Sequence, residues 1–239
     1  MTAALALQVM TPEKYALIIS GDTSYERHRI NIETAYKTFL KNGFEKIYIL
    51  DTDGMKSTGY PISGAADRET IEDVVNKLKQ EMNSNDFFFL YVTDHGDRIE
   101  QEVAGEKISY STILLNNDKE IGEEEFALML NPLKPKQAVY LFDQCHSGGF
   151  ADYFGYGNIL AIASVDAEKV SYSHDKDSVG YFFMKALQGD GVADSDENGK
   201  ISIKEAFDYM MRRYTYSIKG DQKPFINSQL NPNDVYIDE

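Results

Sequence analysis

Cysteine is almost absent from this chain of 239 residues, which contains a single one, Cys145. One cysteine excludes an internal disulfide, a Cys-x-x-Cys redox pair and a zinc site built from several thiolates. A lone thiol is compatible with a nucleophile that performs chemistry, and the plain alternative is a small buried hydrophobic side chain. The sequence context of Cys145 is therefore needed to distinguish these two interpretations.

Basic residues and long apolar stretches are also scarce. The chain has 24 lysines and arginines against 39 aspartates and glutamates, which gives a net charge of −15. Nucleic acids and anionic membranes both require a basic surface, so we expect neither as a partner, whereas acidic loops or a bound cation fit the charge. No stretch is apolar enough to span a membrane. Residues 1–10 lack the basic start of a signal peptide, which predicts a cytoplasmic protein or a mature exported form.

Apolar and amphipathic segments alternate along the chain, without internal repeats or low-complexity linkers. Continuous apolar runs, typical of strands buried on both faces, occupy residues 14–20, 46–50, 87–92, 138–142 and 159–163. Helical patterns occupy residues 32–40, 69–82, 123–130, 181–187 and 203–214; a hairpin is expected near 108–115 and a short strand at 235–237 in a loop-like tail. This alternation predicts one α/β domain over residues 1–239, with a mostly parallel sheet and helices on both faces. We expect a monomer.

Two of the predicted strands end in polar sequences that carry reactive side chains. His95 and Gly96 follow the run 87–92, and Cys145 follows the run 138–142. The carboxyl ends of parallel strands meet at one edge of a sheet, where α/β proteins bind ligands. There His95 would act as the general base for Cys145, and the backbone N–H groups of Gly96 and Cys145 would form an oxyanion hole. The alternative is that a cysteine and a histidine lie at strand ends by chance.

These two sequences resemble the catalytic blocks of the caspase-like cysteine peptidases. Residues 93–96 read TDHG and are similar to legumain, the asparaginyl endopeptidase, whereas residues 143–148 read DQCHSG and look closer to metacaspases. The resemblance implies a caspase-like sandwich fold and a Cys145–His95 dyad that hydrolyses protein or peptide substrates through a thioester. It implies no organic cofactor.

The same resemblance implies a set of residues for the pocket that binds P1, the substrate residue before the cleaved bond. Arg27 matches a basic residue of the legumain pocket, Asp143 matches an acidic one, and Ser171 lies in a matching segment after the fifth strand. A further acid stays open, because Asp177 fits a legumain-like alignment and Asp166 a metacaspase-like one. An arginine together with acids can bind the amide of asparagine, whereas acids without a pocket-facing arginine would select arginine or lysine. Arg27 could equally be a surface cation beside its neighbouring glutamate.

Other polar segments and histidines have weaker interpretations. Caspase-like peptidases are often zymogens that need internal cleavage, and residues 116–118 and 173–178 are candidate cleavage sites, with plain surface loops as the alternative. Of the remaining histidines, His28 could line the pocket, His146 could support it, and His174 is expected to be solvated.

An acidic segment before the last predicted helix matches a calcium loop of the EF-hand type. Residues 194–205 read DSDENGKISIKE, with oxygen-bearing side chains at positions 1, 3 and 5, glycine at 6 and glutamate at 12. The alternative is a turn that caps the following helix. The expected calcium ligands are Asp194, Asp196, Asn198, the backbone carbonyl of Lys200, Ser202 through a water molecule, and Glu205.

Three hypotheses for function follow from these motifs. The first is a calcium-binding cysteine endopeptidase that cleaves after a polar or charged P1 residue, either Asn/Asp or Arg/Lys. The second is a transpeptidase on the same dyad, because water or an amine can resolve a thioester. The third is a calcium-binding module whose caspase-like fold is catalytically silent. A thiol activated by His95 should react with iodoacetamide well below the pH that a free thiol needs.

Overall fold

A six-stranded sheet forms the middle layer of the part of the molecule that the computed structural model describes, residues 11–52, 54, 59–189 and 192–238. In chain order the strands are β1 (Lys14–Ser20), β2 (Lys46–Asp51), β3 (Phe87–Val92), β4 (Arg98–Val103), β5 (Glu106–Leu115), β6 (Lys119–Gly122), β7 (Gln137–Phe142), β8 (Ile159–Ala163) and β9 (Phe225–Ser228). The order in the main sheet is β2-β1-β3-β7-β8-β9. All neighbours are parallel except β9, which runs antiparallel to β8 at the edge. The predicted mostly parallel α/β sheet is confirmed.

Helices cover both faces of this sheet. They are α1 (Glu26–Lys41), α2 (Arg68–Glu81), α3 (Glu123–Leu130), α4 (Gly148–Phe154), α5 (Val179–Leu187), α6 (Ile203–Arg213) and α7 (Thr215–Lys219). Side chains of α1, α5 and α6 pack on one face in a core that includes Ile18 and Leu141. Side chains of α2, α3 and α4 pack on the other face in a core that includes Leu17 and Tyr140. Because each central strand is buried on both faces, its sequence is a continuous apolar run.

A small antiparallel sheet of β4, β5 and β6 lies between β3 and α3 in the chain. Its outer part, residues 98–109, is polar and largely exposed, whereas Ile113, Leu115 and Ile121 join the core on the α2 side of the main sheet. Residues 108–115, where a hairpin is expected, lie within the single strand β5; the hairpin in the structure is formed by β4 and β5 and begins at Arg98.

Several elements differ from the sequence prediction. Helix α1 begins at Glu26, earlier than the predicted residue 32, and the short helix α4, which begins at Gly148, was not predicted. The predicted strand at 235–237 is wrong, because that segment makes only an isolated bridge between Tyr236 and Ser202. The last strand is β9, whose sequence FINS is only half-buried at the sheet edge and so has no continuous apolar run.

The two candidate cleavage segments are short turns in the structure. Residues 116–118 form a single 3₁₀ turn between β5 and β6, and residues 173–178 contain a turn closed by the pair His174 and Asp177. The prediction of cleavage at either place stays a prediction. Residues 1–10, for which we expect no signal peptide, lie outside the described residues. Among the helices that the structure describes, none is long and apolar enough to cross a membrane.

Candidate active site

The pairing of two neighbouring strands brings His95 and Cys145 to the same edge of the sheet. Strands β3 and β7 are parallel neighbours, and Val92 pairs with Phe142 at their last register position. His95 lies three residues beyond Val92, and Cys145 lies three residues beyond Phe142. The segments after β3 and β7 therefore leave the sheet side by side. His95 and Cys145 lie the same number of residues beyond the paired positions.

Gly96 packs directly against the chain of Cys145. A Cβ atom placed on Gly96 would lie 2.5 Å from the carbonyl oxygen of Cys145 and 2.8 Å from that of Thr112. Since real Cβ atoms do not approach backbone oxygens so closely, this position requires glycine. The close approach holds the segment after β3 against the segment after β7.

A buried carboxylate fixes the backbone at His95. Asp94 is 3% exposed, and its carboxylate accepts hydrogen bonds from the N–H of His95 at 2.6 Å and from the N–H of Gly21, which follows β1. Burial raises the pKa of Asp94 well above its usual value, while these backbone hydrogen bonds oppose the increase. Asp94 thus joins the ends of β1 and β3 and sets the position from which His95 projects.

Four side chains from the segment after β1 surround the His95 imidazole. Arg27 places Nη2 at 3.4 Å from Nε2 of His95, and Asp22 places Oδ2 at 3.7 Å from the same nitrogen. The rings of Tyr25 and His28 each lie 5.3 Å from the His95 ring, centroid to centroid. Burial and the charge of Arg27 lower the pKa of His95, while the charge of Asp22 opposes them.

His28 is a buried neutral base behind His95. Its Nδ1 lies 3.4 Å from the hydroxyl of Thr93, and within the described residues its Nε2 has no hydrogen-bond partner. Burial and the charge of Arg27 lower the pKa of His28 to about 3. His28 therefore lies close to the site, as the sequence suggested, and carries no charge there at neutral pH.

The Cys145 thiol lies against the backbone of Ser171. The N–H of Ser171 donates to the sulfur at 3.3 Å, and the sulfur lies 3.7 Å from the Ser171 carbonyl oxygen. Burial raises the pKa of Cys145, with the Ser171 N–H and the charge of Arg27 acting in the opposite direction. Since the pKa of His95 is lowered at the same time, both the thiol and the imidazole are neutral at neutral pH. This state argues against the expected early reaction with iodoacetamide.

The turn after Cys145 is held by its neighbours. His146 has a positive φ of 58°, and its Nδ1 lies 2.8 Å from the carbonyl oxygen of Ala167. The hydroxyl of Ser147 is buried and contacts Ser164 and Val165. His146 therefore supports the turn, and the Ser147 hydroxyl is engaged in contacts with the neighbouring segment.

Asp143 is the buried acid of the site. Its Oδ2 accepts a hydrogen bond from the N–H of Gly180 at 2.9 Å and lies within 3.5 Å of the Asn31 amide and the Tyr91 hydroxyl. Burial raises the pKa of Asp143 to about 7, although the Gly180 hydrogen bond and the charge of Arg27 lower it. Arg27 is half-buried, its Nη2 lies 3.4 Å from the His95 ring, and its positive charge acts to lower the pKa of His95, Cys145 and Asp143. Its role in substrate binding stays a prediction.

The other two candidate acids contact different parts of the molecule. The carboxylate of Asp166 is exposed and accepts a hydrogen bond from the N–H of Glu168, in a turn beside the start of α4. The carboxylate of Asp177 accepts a hydrogen bond from the N–H of Thr215, the first residue of α7. Neither of these contacts involves Asp143, and the role of Asp166 or Asp177 as a further pocket acid stays a prediction.

The acidic loop brings three carboxylates together. Oxygen atoms of Asp194, Asp196 and Glu205 lie within 4.8 Å of one another. Gly199, at the sixth position of the loop, has a φ of 86°, which favours glycine. Glu205 accepts hydrogen bonds from Ser195 and Ser202, and these lower its pKa to about 2 although burial raises it. Glu205 is therefore ionised at neutral pH.

The remaining predicted calcium ligands have other contacts in the structure. The side chain of Ser202 caps α6 in a reciprocal capping box with Glu205, as the alternative interpretation of this loop expects. The Asn198 side-chain oxygen accepts from the N–H of Lys200 at 2.8 Å. The Lys200 ammonium lies 5.5 Å above the Tyr236 ring. The oxygen-only donor set fits a hard cation such as Ca²⁺.

The fold and the two strand ends define the class of the protein, a caspase-like α/β protein. The sequence model of the Peptidase C13 family matches residues 65–232, more than half of the chain, and the chain belongs to this family of cysteine peptidases, the legumain family. The structure is similar to that of a crystallised protein from Geobacter sulfurreducens, at 16% sequence identity and a TM-score of 0.63, over 94% of this chain and 97% of that one. At this identity the likeness shows the fold alone. No curated protein matches the chain.

Asp22, Asp94 and the backbone of Ser171 were not anticipated as parts of the site. Asp22 lies near His95, and Asp94 binds the N–H of Gly21, only because β1 and β3 are neighbours in the sheet. These strands are separated by more than sixty residues of sequence. The only local signal was the position of each acid just after an apolar run, which is common to many strand ends.

We predict that the Cys145 thiol ionises at a higher pH in the folded chain than in the unfolded chain. Because the pKa of Cys145 is raised in the folded state, the rate of alkylation by iodoacetamide should reach half its maximum at a higher pH than in the unfolded chain. The same chain in urea is the matched control, since it contains the same single thiol. The measurement is the alkylation rate from pH 6 to 11 by intact-mass spectrometry. A lower midpoint in the folded chain would contradict the neutral resting state.

Proposed function

We propose that this chain is a cysteine endopeptidase in which Cys145 is the nucleophile and His95 the general base. The observation that carries the proposal is the equal offset of the two residues from the paired positions Val92 and Phe142. The backbone N–H groups of Gly96 and Cys145 form the oxyanion hole, because the close packing of Gly96 on Cys145 brings the two chains together. Membership of a cysteine-peptidase family supports the assignment.

The reaction begins from neutral groups. His95 takes the thiol proton as the sulfur attacks the carbonyl carbon, so that the S–C bond forms while the ions are generated inside the site. The C–N bond then breaks, and His95 returns the proton to the leaving amine. Water, activated by His95, hydrolyses the thioester to a carboxylic acid and restores the thiol. An amine in place of water would give a transpeptidase product from the same thioester.

The pocket chemistry favours asparagine at P1. Arg27 can donate to the side-chain carbonyl of asparagine, and Asp143 can accept from its NH₂ group. A P1 arginine or lysine would meet the positive charge of Arg27, which acts on both Asp143 and Cys145. Because the pKa of Asp143 is raised to about 7, acidification neutralises this acid and makes a P1 aspartate more acceptable. Ser171 contributes its backbone beside the thiol.

We predict that a diverse peptide library is cleaved after asparagine by the wild-type chain and not at all by Cys145→Ala. Arg27→Gln should lower kcat/KM for asparagine peptides by about 10- to 100-fold, since a hydrogen bond to a charged group contributes about 1.5–3 kcal/mol. Arg29→Gln is the matched control, because Arg29 pairs with Glu26 on the exposed side of α1. Cleavage products are identified by mass spectrometry.

The outcomes separate the three hypotheses. Cleavage by Cys145→Ala at the wild-type rate would contradict the proposal. A wild-type chain that is folded and cuts no peptide supports a catalytically silent module. Joining of the acyl fragment to an added amine peptide supports a transpeptidase.

We further propose that residues 194–205 bind Ca²⁺ through the ligands predicted from the sequence. The converging carboxylates of Asp194, Asp196 and Glu205 and the glycine at position 6 support this. Helix α6 begins at this loop and leads to Tyr214, whose hydroxyl donates to the carbonyl of Tyr172 next to Ser171. Bound calcium would therefore also stabilise a wall of the active site.

Calcium should raise the melting temperature of the chain by on the order of 5–10 °C when it is about 100-fold above its dissociation constant. Chelation should reverse the shift, and Asp194→Ala should abolish it. Asp73→Asn, which removes an exposed acid from α2, is the control for the loss of one negative charge. The measurement is differential scanning calorimetry with calcium or with chelator. Equal melting temperatures in the two conditions would exclude the site.

A further inference from the structure

Two side chains of opposite charge compete for one nitrogen of the His95 ring. Nη2 of Arg27 lies 3.4 Å from Nε2, and Oδ2 of Asp22 lies 3.7 Å from it. Both distances exceed those of normal hydrogen bonds, so neither partner has closed on the ring. A guanidinium can only donate and a carboxylate can only accept, so Nε2 must be unprotonated to bind Arg27 and protonated to bind Asp22.

The partner of Nε2 decides the state of the other ring nitrogen. A neutral imidazole carries one proton, so an Nε2 that accepts from Arg27 leaves the proton on Nδ1. Because Arg27 and Asp22 both lie at Nε2, the proposed function leaves Nδ1 to take the thiol proton. In the tautomer that carries its proton on Nδ1, that nitrogen cannot accept one. An Nε2 that donates to Asp22 leaves Nδ1 free as the base. A carboxylate that holds a catalytic imidazole in one tautomer is a general device of such sites.

The other groups around His95 do not take over this task. His28 is neutral at neutral pH, Tyr25 presents its ring, and the Asp94 carboxylate is bound to two backbone N–H groups. The thiol of Cys145 contacts Ser171. Asp22 alone among these groups offers an ionised carboxylate: burial raises its pKa, but hydrogen bonds from Ser24 lower it overall.

We propose that Asp22 is a positioning residue that holds His95 in the Nε2–H tautomer, and that Arg27 holds the opposite tautomer until a P1 side chain binds its guanidinium. The switch changes no net charge: the ring loses the Nδ1 proton to water and gains one at Nε2. Water has access, because the His95 side chain is 37% exposed. Binding of a matching P1 side chain thereby converts His95 to the tautomer that can accept the thiol proton. This inference rests on the proposed function of His95 and Arg27.

The first test reads the tautomer itself and needs no turnover. In Cys145→Ala protein labelled with ¹⁵N-histidine, the ring nitrogen shifts of His95 distinguish the two tautomers, and a His95→Gln sample assigns the signals. The resting protein should show Nδ1–H, and a peptide ending in asparagine should convert it to Nε2–H. Arg27→Gln should show Nε2–H without peptide, and Asp22→Ala should keep Nδ1–H with peptide. A resting Nε2–H tautomer that Asp22→Ala leaves unchanged would overturn the proposal.

The second test separates positioning from binding. Asp22→Ala should lower kcat on the order of 10- to 100-fold with KM within about twofold. Asp22→Asn keeps an oxygen that accepts from Nε2–H and should recover most of this loss. Glu26→Gln is the matched control, since it removes a carboxylate of the same segment that pairs with Arg29 instead. Equal kcat in Asp22→Ala and wild type refutes the positioning role, whereas a wild-type chain that cuts nothing refutes the proposed function and leaves the tautomer measurement valid.

Discussion

The parallel pairing of β3 with β7 is the constraint on which the candidate site depends. A shift of one residue in this register would turn the side chains of β7 to the wrong core and would move Cys145 away from its place opposite His95. Burial of both strands on both faces prevents such a shift, because Leu90 and Tyr140 belong to one core and Tyr91 and Leu141 to the other. The two hydrophobic cores thus fix the geometry of a polar site that lies outside them.

Charge at the site is supplied by a small number of groups in contact with the two strand ends. Arg27 acts on His95, Cys145 and Asp143, and it reaches them from the first turn of α1. Burial lowers the pKa of the His95 imidazole and raises that of the Cys145 thiol, so both groups are neutral at neutral pH.

The parts of the fold that were predictable from sequence are those with strong local patterns. The five parallel strands are continuous apolar runs, and the helix from Ile203 has an apolar stripe and a capping box. Strand β9 and helix α4 were missed, because a half-buried edge strand has mixed polarity and the pair of glycines at 148 and 149 disfavours a helix.

The placement of His95 and Cys145 at one edge of the sheet was predictable for a similar reason, since each residue closely follows an apolar run. Their partners were not, because Asp22 meets His95 only through the fold and has no distinctive spacing. The choice between Asp166 and Asp177 as a pocket acid could not be made from alignment, and in the structure each carboxylate binds a backbone N–H elsewhere.

The most direct test of the central claim is covalent labelling by a substrate-like electrophile. A peptidyl acyloxymethyl ketone with asparagine at P1 should add once to the wild-type chain, at Cys145, and the adduct should be seen in the intact mass. His95→Ala should remain unlabelled over the same period, while titration in urea shows that its thiol is intact. Labelling of His95→Ala at the wild-type rate would contradict the account, because the thiol would then react without the base at the end of β3.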